Sequence, residues 1–208
     1  MNIRKYYLRG RHPHGFWGNR ALKEMNDKKH AAMPEWVFGE LKLNEDARIL
    51  DLGCGGGANI ARMLEKCPKG TVTGLDISQL ALEKSKELNY HAYVDKRCMI
   101  SGGNAVQLPL ARGMYDVVTA FETIYFWSSL TAGAEEMFRV LKPGGMCVIA
   151  NELDGLQQSD RDLEKNPGAM RVYTIDEIKE DLSAAGFTNI QSRHDEERHF
   201  ICVTARKP

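Results

Sequence analysis

Residues 49–60 read Ile-Leu-Asp-Leu-Gly-Cys-Gly-Gly-Gly-Ala-Asn-Ile, an apolar run that breaks into glycines and resumes with helical periodicity. A strand that passes through glycines straight into a helix needs backbone that turns tightly and lets a ligand approach with no Cβ in the way. That one feature commits the chain to an α/β fold in which the turn after the first strand is a binding loop. By itself Gly53-x-Gly55-x-x-Ala58 also fits the dinucleotide fingerprint.

The rest of the chain alternates as such a fold requires. Short apolar runs at 48–52, 71–75, 97–100, 115–121 and 146–151 predict strands, and helical periodicity at 58–66, 79–88 and 132–141 predicts the crossovers between them. Thr174 with Glu177 three residues on predicts a capping box that opens a helix running to Ala185 and stopping at Gly186. Residues 189–192 and 200–204 then predict a closing hairpin. Two regions fall outside this rhythm. Residues 1–46 predict an N-terminal cap with short amphipathic helices at about 20–27 and 30–41, leaving 47–208 as the core. Residues 154–173, polar and broken by Pro167 and Gly168, predict an insertion after the fifth strand. Ligands in open parallel sheets sit outside the carboxyl ends of the strands, so both regions are natural walls of a substrate pocket.

Two acids sharpen the reading of the glycine turn. Asp51 lies two residues before the first glycine, where a fixed negative charge repels a pyrophosphate and attracts a cationic ligand. Asp76, 21 residues after Gly55, ends the next strand, where a carboxylate accepts from two ribose hydroxyls. With Leu75-Asp76-Ile77-Ser78, Asn104-Ala105 followed by Leu108-Pro109, Tyr115-Asp116-Val117-Val118 and Leu141-Lys142-Pro143-Gly144-Gly145, the sequence resembles the class I S-adenosylmethionine-dependent methyltransferases from about Arg48 to its C-terminus.

The resemblance implies a doubly wound, mostly parallel seven-stranded sheet of the Rossmann-like type whose last strand is antiparallel, and S-adenosyl-L-methionine as cofactor. It implies that Gly53, Cys54, Gly55 and Gly57 pass beneath the methionine part, that Asp51 faces its ammonium, that Asp76 clasps the ribose and that Ile77 lies on the adenine face. Asn104 stands where the family usually has an acid; its amide oxygen is able to accept from the adenine amino group in the same way. Ala105 would offer its N–H to the ring and Phe121 its carbonyl to the ammonium.

Displacement at a sulfonium needs a general base only when the nucleophile carries a proton. Phe121-Glu122-Thr123-Ile124-Tyr125-Phe126-Trp127 lacks the Asn-Pro-Pro-Tyr type motif of relatives that methylate nucleobase or amide nitrogens. Lysines and arginines number 28, as do aspartates and glutamates, and the zero net charge argues against DNA and, less strongly, against RNA. The expected acceptor is a small molecule. Glu122 and Tyr125 are the candidate catalytic residues, and Trp127, Asn151, Glu152, Trp17 and His30 the candidate substrate-side residues. His12, His14 and His30 lack the ligand spacing of a metal site, so none is expected.

No apolar run approaches the roughly 20 residues that span a bilayer, and the basic N-terminus is broken by Arg9 and Arg11 before any signal core develops. The odd number of cysteines, five, with no Cys-x-x-Cys pair, reads as reduced thiols and a cytoplasmic protein. Two other classes share these features: a non-catalytic S-adenosylmethionine-binding regulator and a nicotinamide-dependent oxidoreductase.

Overall fold

The computed structural model describes residues 31–165 and 170–208. Its frame is a seven-stranded sheet in the order β3-β2-β1-β4-β5-β7-β6. The strands are β1 (Arg48–Leu52), β2 (Thr71–Asp76), β3 (Cys98–Gly102), β4 (Tyr115–Phe121), β5 (Leu141–Asn151), β6 (Thr188–Asp195) and β7 (Phe200–Arg206). β7 runs antiparallel to both β5 and β6, while the pairs from β3 across to β5 are parallel. From β1 the chain builds outward through β2 to β3 and then returns to lay β4 on the other side of β1. That reversal opens a crevice at the carboxyl ends of β1 and β4, the place where doubly wound sheets bind ligands.

Helices α1 (Ala32–Glu40), α2 (Ala58–Lys66), α3 (Gln79–Leu88), α4 (Tyr90–Val94), α5 (Leu130–Val140), α6 (Gln158–Leu163) and α7 (Ile175–Ala184) complete the described residues. Alternation along each strand sorts the two faces. Val118, Ala120, Cys147 and Ile149 pack with α5 and α7, whereas Val117, Phe121, Val148 and Ala150 pack with Met33, Val37 and Phe38 of α1 and Ile60 and Met63 of α2. In α2 the spacing of Ile60, Met63 and Leu64 puts three side chains on the sheet, each contributing about 1.5–3 kcal/mol by leaving water. Gly74 lets that helix sit close, since a Cβ there would lie 2.4 Å from Ile60 Cδ1.

Most elements lie where the sequence predicts them, and the departures have physical causes. The helix predicted at 132–141 begins at Leu130, because Ser129 caps it by accepting from Ala132 N–H. β5 begins at Leu141 rather than 146: Leu141 pairs with Tyr115, then the Lys-Pro-Gly-Gly segment bulges out before Met146 pairs with Val117. β6 is longer than predicted and polar, as an edge strand paired only with β7 is free to be. α4 and α6 are about one turn each, too short to show a period. The capping box holds, with Thr174 accepting from Glu177 N–H and the Glu177 carboxylate accepting from Thr174 N–H. Of the predicted cap helices, the one at 30–41 is found as α1, and the one at 20–27 lies outside the described residues.

Candidate active site

The turn between β1 and α2 is built from left-handed glycines, with φ of 69° at Gly53, 52° at Gly55 and 84° at Gly57. Gly53 and Cys54 both donate to Leu75 O, at 2.7 and 3.0 Å, which ties the turn to the end of β2. A Cβ at Gly53 would lie 2.1 Å from Thr123 Oγ1, so glycine is required twice over, by conformation and by space. The Cys54 thiol packs downward against Ser85 of α3, and burial pushes it well above its ordinary range. Its side chain is a core group, and only its backbone belongs to the loop.

Asp76 holds the loop from the other side. One carboxylate oxygen accepts from Gly55 N–H at 3.0 Å and the other from Ser78 N–H at 2.8 Å. Both bonds are charge-assisted, so the acid and the glycine turn are oriented together at the rim. Ile77, beside it, is 59% exposed, an apolar side chain standing at the end of a strand. Asn104 closes an Asx turn, its amide oxygen accepting from Val106 N–H at 3.1 Å, and Ala105 next to it is buried. The expected acceptor atom of Asn104 is therefore already engaged once in turn chemistry.

Asp51 lies beneath the glycines, 2% exposed, and accepts from the Thr119 hydroxyl at 2.7 Å. Burial raises its pKa to about 7 against the relief from Thr119, and Asp76 raises it further. A buried carboxylate poised near neutrality under a cradle of backbone amides suits a cationic group lying above it.

On the far half of the rim β4 ends at Phe121, whose ring meets Phe38 of α1 at 5.2 Å between centroids. Glu122 follows with φ of 57°, a left-handed non-glycine conformation that marks a constrained corner. Its Oε1 accepts from Tyr125 Oη at 2.9 Å and from Glu152 N–H, while Tyr125 Oη accepts from Leu153 N–H at 3.1 Å. The network joins the corner after β4 to the loop after β5.

This geometry changes several of the expected roles. Tyr125 is 1% exposed and packed among Leu153, Leu163, Met170 and Val172, so its hydroxyl braces Glu122 instead of presenting itself to an acceptor. Trp127 lays its ring on Gly133, where a Cβ would be 2.2 Å away, and so packs the start of α5 rather than a substrate pocket. Asn151 is fully buried in the sheet beside Ile201, and neither atom of its amide has a partner. Glu152 is half-buried at the rim, its N–H donating to Glu122. Trp17 and His30 lie outside the described residues, as do His12, His14 and the break at Pro167 and Gly168. Among the described residues no cluster of histidine, cysteine and acidic side chains is placed to hold a metal ion.

The sequence reading missed a group on the same side. Asp154, 2% exposed, accepts on Oδ2 from His194 Nε2 at 3.1 Å and His199 Nδ1 at 3.0 Å. Thr119 and Thr123 were missed too. No spacing signal links residues 40 and 45 positions apart, and only the hairpin's placement brings them together.

The donor set fits S-adenosylmethionine: a ribose-side carboxylate, an exposed apolar platform and a buried acid under glycine amides. Comparison with known proteins agrees. Residues 50–149 match the model of the methyltransferase domain family. The chain is 30% identical to the 27-O-demethylrifamycin SV methyltransferase of Amycolatopsis mediterranei, over 83% of this chain and 65% of that protein. It is 26% identical to the uncharacterized methyltransferase YdaC of Bacillus subtilis, over 86% of this chain and 94% of that one. The fold matches a SAM-dependent methyltransferase from Aquifex aeolicus with a TM-score of 0.73 at 22% identity, covering 88% of this chain and 95% of the other. The chain thus spans less than two thirds of the rifamycin relative and nearly all of the Bacillus one.

Proposed function

The chain belongs to the class I S-adenosylmethionine-dependent methyltransferases, and from that membership we propose that it moves a methyl group from S-adenosylmethionine to a small-molecule acceptor. When bound, S-adenosylmethionine supplies a methyl on a good leaving group, and the protein's task is to position it and keep water away. Asp76 accepts from the ribose hydroxyls, Ile77 lies on the adenine, and Asn104 and Ala105 address the ring edge. Asp51, beneath Gly53, Gly55 and Gly57, balances the ammonium, which the Phe121 carbonyl also meets. Glu122, held by Tyr125, forms the wall between cofactor and acceptor, and Glu152 extends that wall.

The observation that carries this reading is Ile77, 59% exposed beside a carboxylate whose two oxygens are aimed by Gly55 and Ser78. An isoleucine exposed beside that acid suits the flat face of an adenine ring next to its ribose. We assign residues 1–46 as the cap and 154–173 as the acceptor-side insertion. The rifamycin relative, named for a small-molecule acceptor, supports the same class of substrate. No helix among the described residues is long and apolar enough to cross a membrane, and five free, buried cysteines support a cytoplasmic setting.

Calorimetric titration tests the proposal. S-adenosylmethionine should bind the wild-type chain, and Asp76→Ala should weaken binding by at least about tenfold, the loss of hydrogen bonds to a charged acceptor, while the melting curve stays cooperative. NADH binding without affinity for S-adenosylmethionine would overturn it in favour of an oxidoreductase.

A further inference from the structure

We infer that His199, oriented by Asp154, is the base that takes a proton from the acceptor, so that the acceptor is a nucleophile that still carries its proton. The inference rests on the methyltransferase reading and adds to it the group that receives that proton.

Place comes first. His194 pairs across the sheet with Ile201, and Ile201 with Asn151, so the β6–β7 turn stands on the same carboxyl rim as the corner after β4. Glu152 N–H donates to Glu122, and Asp154 is two residues further on, within about 7 Å of chain from Glu152. Asp154 is therefore close to the acceptor wall, on the side away from Asp76 and Ile77.

Chemistry follows. A base must be held in one tautomer by a second group and must show its other nitrogen. Asp154 Oδ2 receives His199 at Nδ1, at 3.0 Å, which leaves Nε2 at the ring's tip as the lone-pair nitrogen. The His199 side chain is 42% exposed and the Asp154 side chain 2%, so the carboxylate is sheltered while the imidazole reaches outward. Burial pushes Asp154 up, and the bonds from Leu156 N–H, His199 and His194 outweigh it and hold it below the usual carboxylate range. The anion is thus available to stabilise an imidazolium. His199 adopts φ of 60°, a strained conformation kept at the one residue that delivers the ring. His194 supports the same oxygen through its own Nε2, with its side chain 23% exposed.

Among the described residues, the charged and titratable groups near His199 are Asp154, His194 and Asp160 and, in its own turn, Asp195, Glu196, Glu197 and Arg198. Asp160 of α6 lies near both Asp154 and His199, and burial raises it. In the hairpin turn Asp195 is paired with Arg198. In the reaction the acceptor's nucleophilic atom forms the new bond to the methyl carbon, and the bond from that carbon to sulfur breaks with both electrons passing to sulfur. The acceptor's proton goes to His199 Nε2. The products are the methylated acceptor, S-adenosylhomocysteine and an imidazolium beside Asp154.

The test needs no acceptor. The full chain, labelled with nitrogen-15 at histidine, is titrated by NMR with S-adenosylhomocysteine bound and again with sinefungin, in which an amine replaces the methylsulfonium. Neutral His199 should carry its proton on Nδ1, and the midpoint of its titration should move to lower pH by about one unit or more when the cationic ligand replaces the neutral thioether. A proton on Nε2, or one midpoint for both ligands, overturns the inference. Calorimetry on the same samples separates the two readings. If neither ligand binds, the methyltransferase reading fails and this one with it; binding with an unresponsive His199 defeats this one alone.

Discussion

Thr119 on β4 donates its hydroxyl to Asp51 on β1 at 2.7 Å, across the boundary where the strand order reverses. Among the described residues it is the one hydrogen-bond partner of a carboxylate that is 2% exposed, and a single neutral donor does not offset the loss of water. The apo protein therefore carries a destabilising charge under its binding loop whenever the pH is high enough to ionise it.

The stability consequence follows with a definite sign. The ordinary value of 3.8 rises to about 7 in the folded chain, so the folded state holds a proton that the unfolded state has released. Stability is intact below pH 4, falls as pH rises towards 7, and stays reduced by about 4 kcal/mol above it. Asp51→Asn keeps the shape and the bond from Thr119. In urea denaturation without ligand it should be several kcal/mol more stable than wild type at pH 8 and equal to it at pH 4.

Ligand binding reads the same group from the other side. A cation above Asp51 favours the ionised form, so affinity for S-adenosylmethionine should climb between pH 5.5 and 7 by up to about tenfold per pH unit and level off beyond. Titrations at pH 6 in two buffers of different ionisation enthalpy should show close to one proton released. Asp51→Asn should bind weakly and without the slope.

Tyr125→Phe separates bracing from acceptor contact. The substitution removes the donor to Glu122 and leaves Leu153 N–H buried without its acceptor, which costs about 1–3 kcal/mol. Denaturation should show that loss. Full stability would mean the hydroxyl is dispensable to the corner.

Asn151 is the opposite case. Its amide is fully buried with no partner for either atom, so Asn151→Leu, of similar volume, should stabilise the chain by about 1–3 kcal/mol. A marked destabilisation by thermal melting would show that the amide is paired in solution.

The cofactor half of the site was legible because its parts are local. Asp51, the glycines and Asp76 come from two consecutive strand-to-turn junctions, and buried parallel strands such as β1 and β4 are near-continuous apolar runs. Most of the acceptor half was not, because apart from the Tyr125–Glu122 bond its bonds join residues 28 to 45 positions apart and its strand β6 carries Gln191, Ser192, Arg193, His194 and Asp195 in an edge position. Trp127 misled for a related reason: an aromatic after a strand reads the same whether it faces a pocket or a glycine on the next helix. Asp154 had no readable partner until the hairpin fell beside it.

The position of β7 makes the C-terminal hairpin a separable unit. β6 precedes β7 in the chain yet joins the sheet through β7 alone, and the hairpin's strand pairing to the rest of the sheet runs along β5. A local piece attached along one seam is suited to open by itself. Amides of β6 and β7 should exchange with solvent as a cooperative unit, with a lower opening free energy than β1, β2 and β4. His194 and His199 ride on that unit, so its opening would dismantle the acceptor side while the loop that grips the nucleoside stays folded.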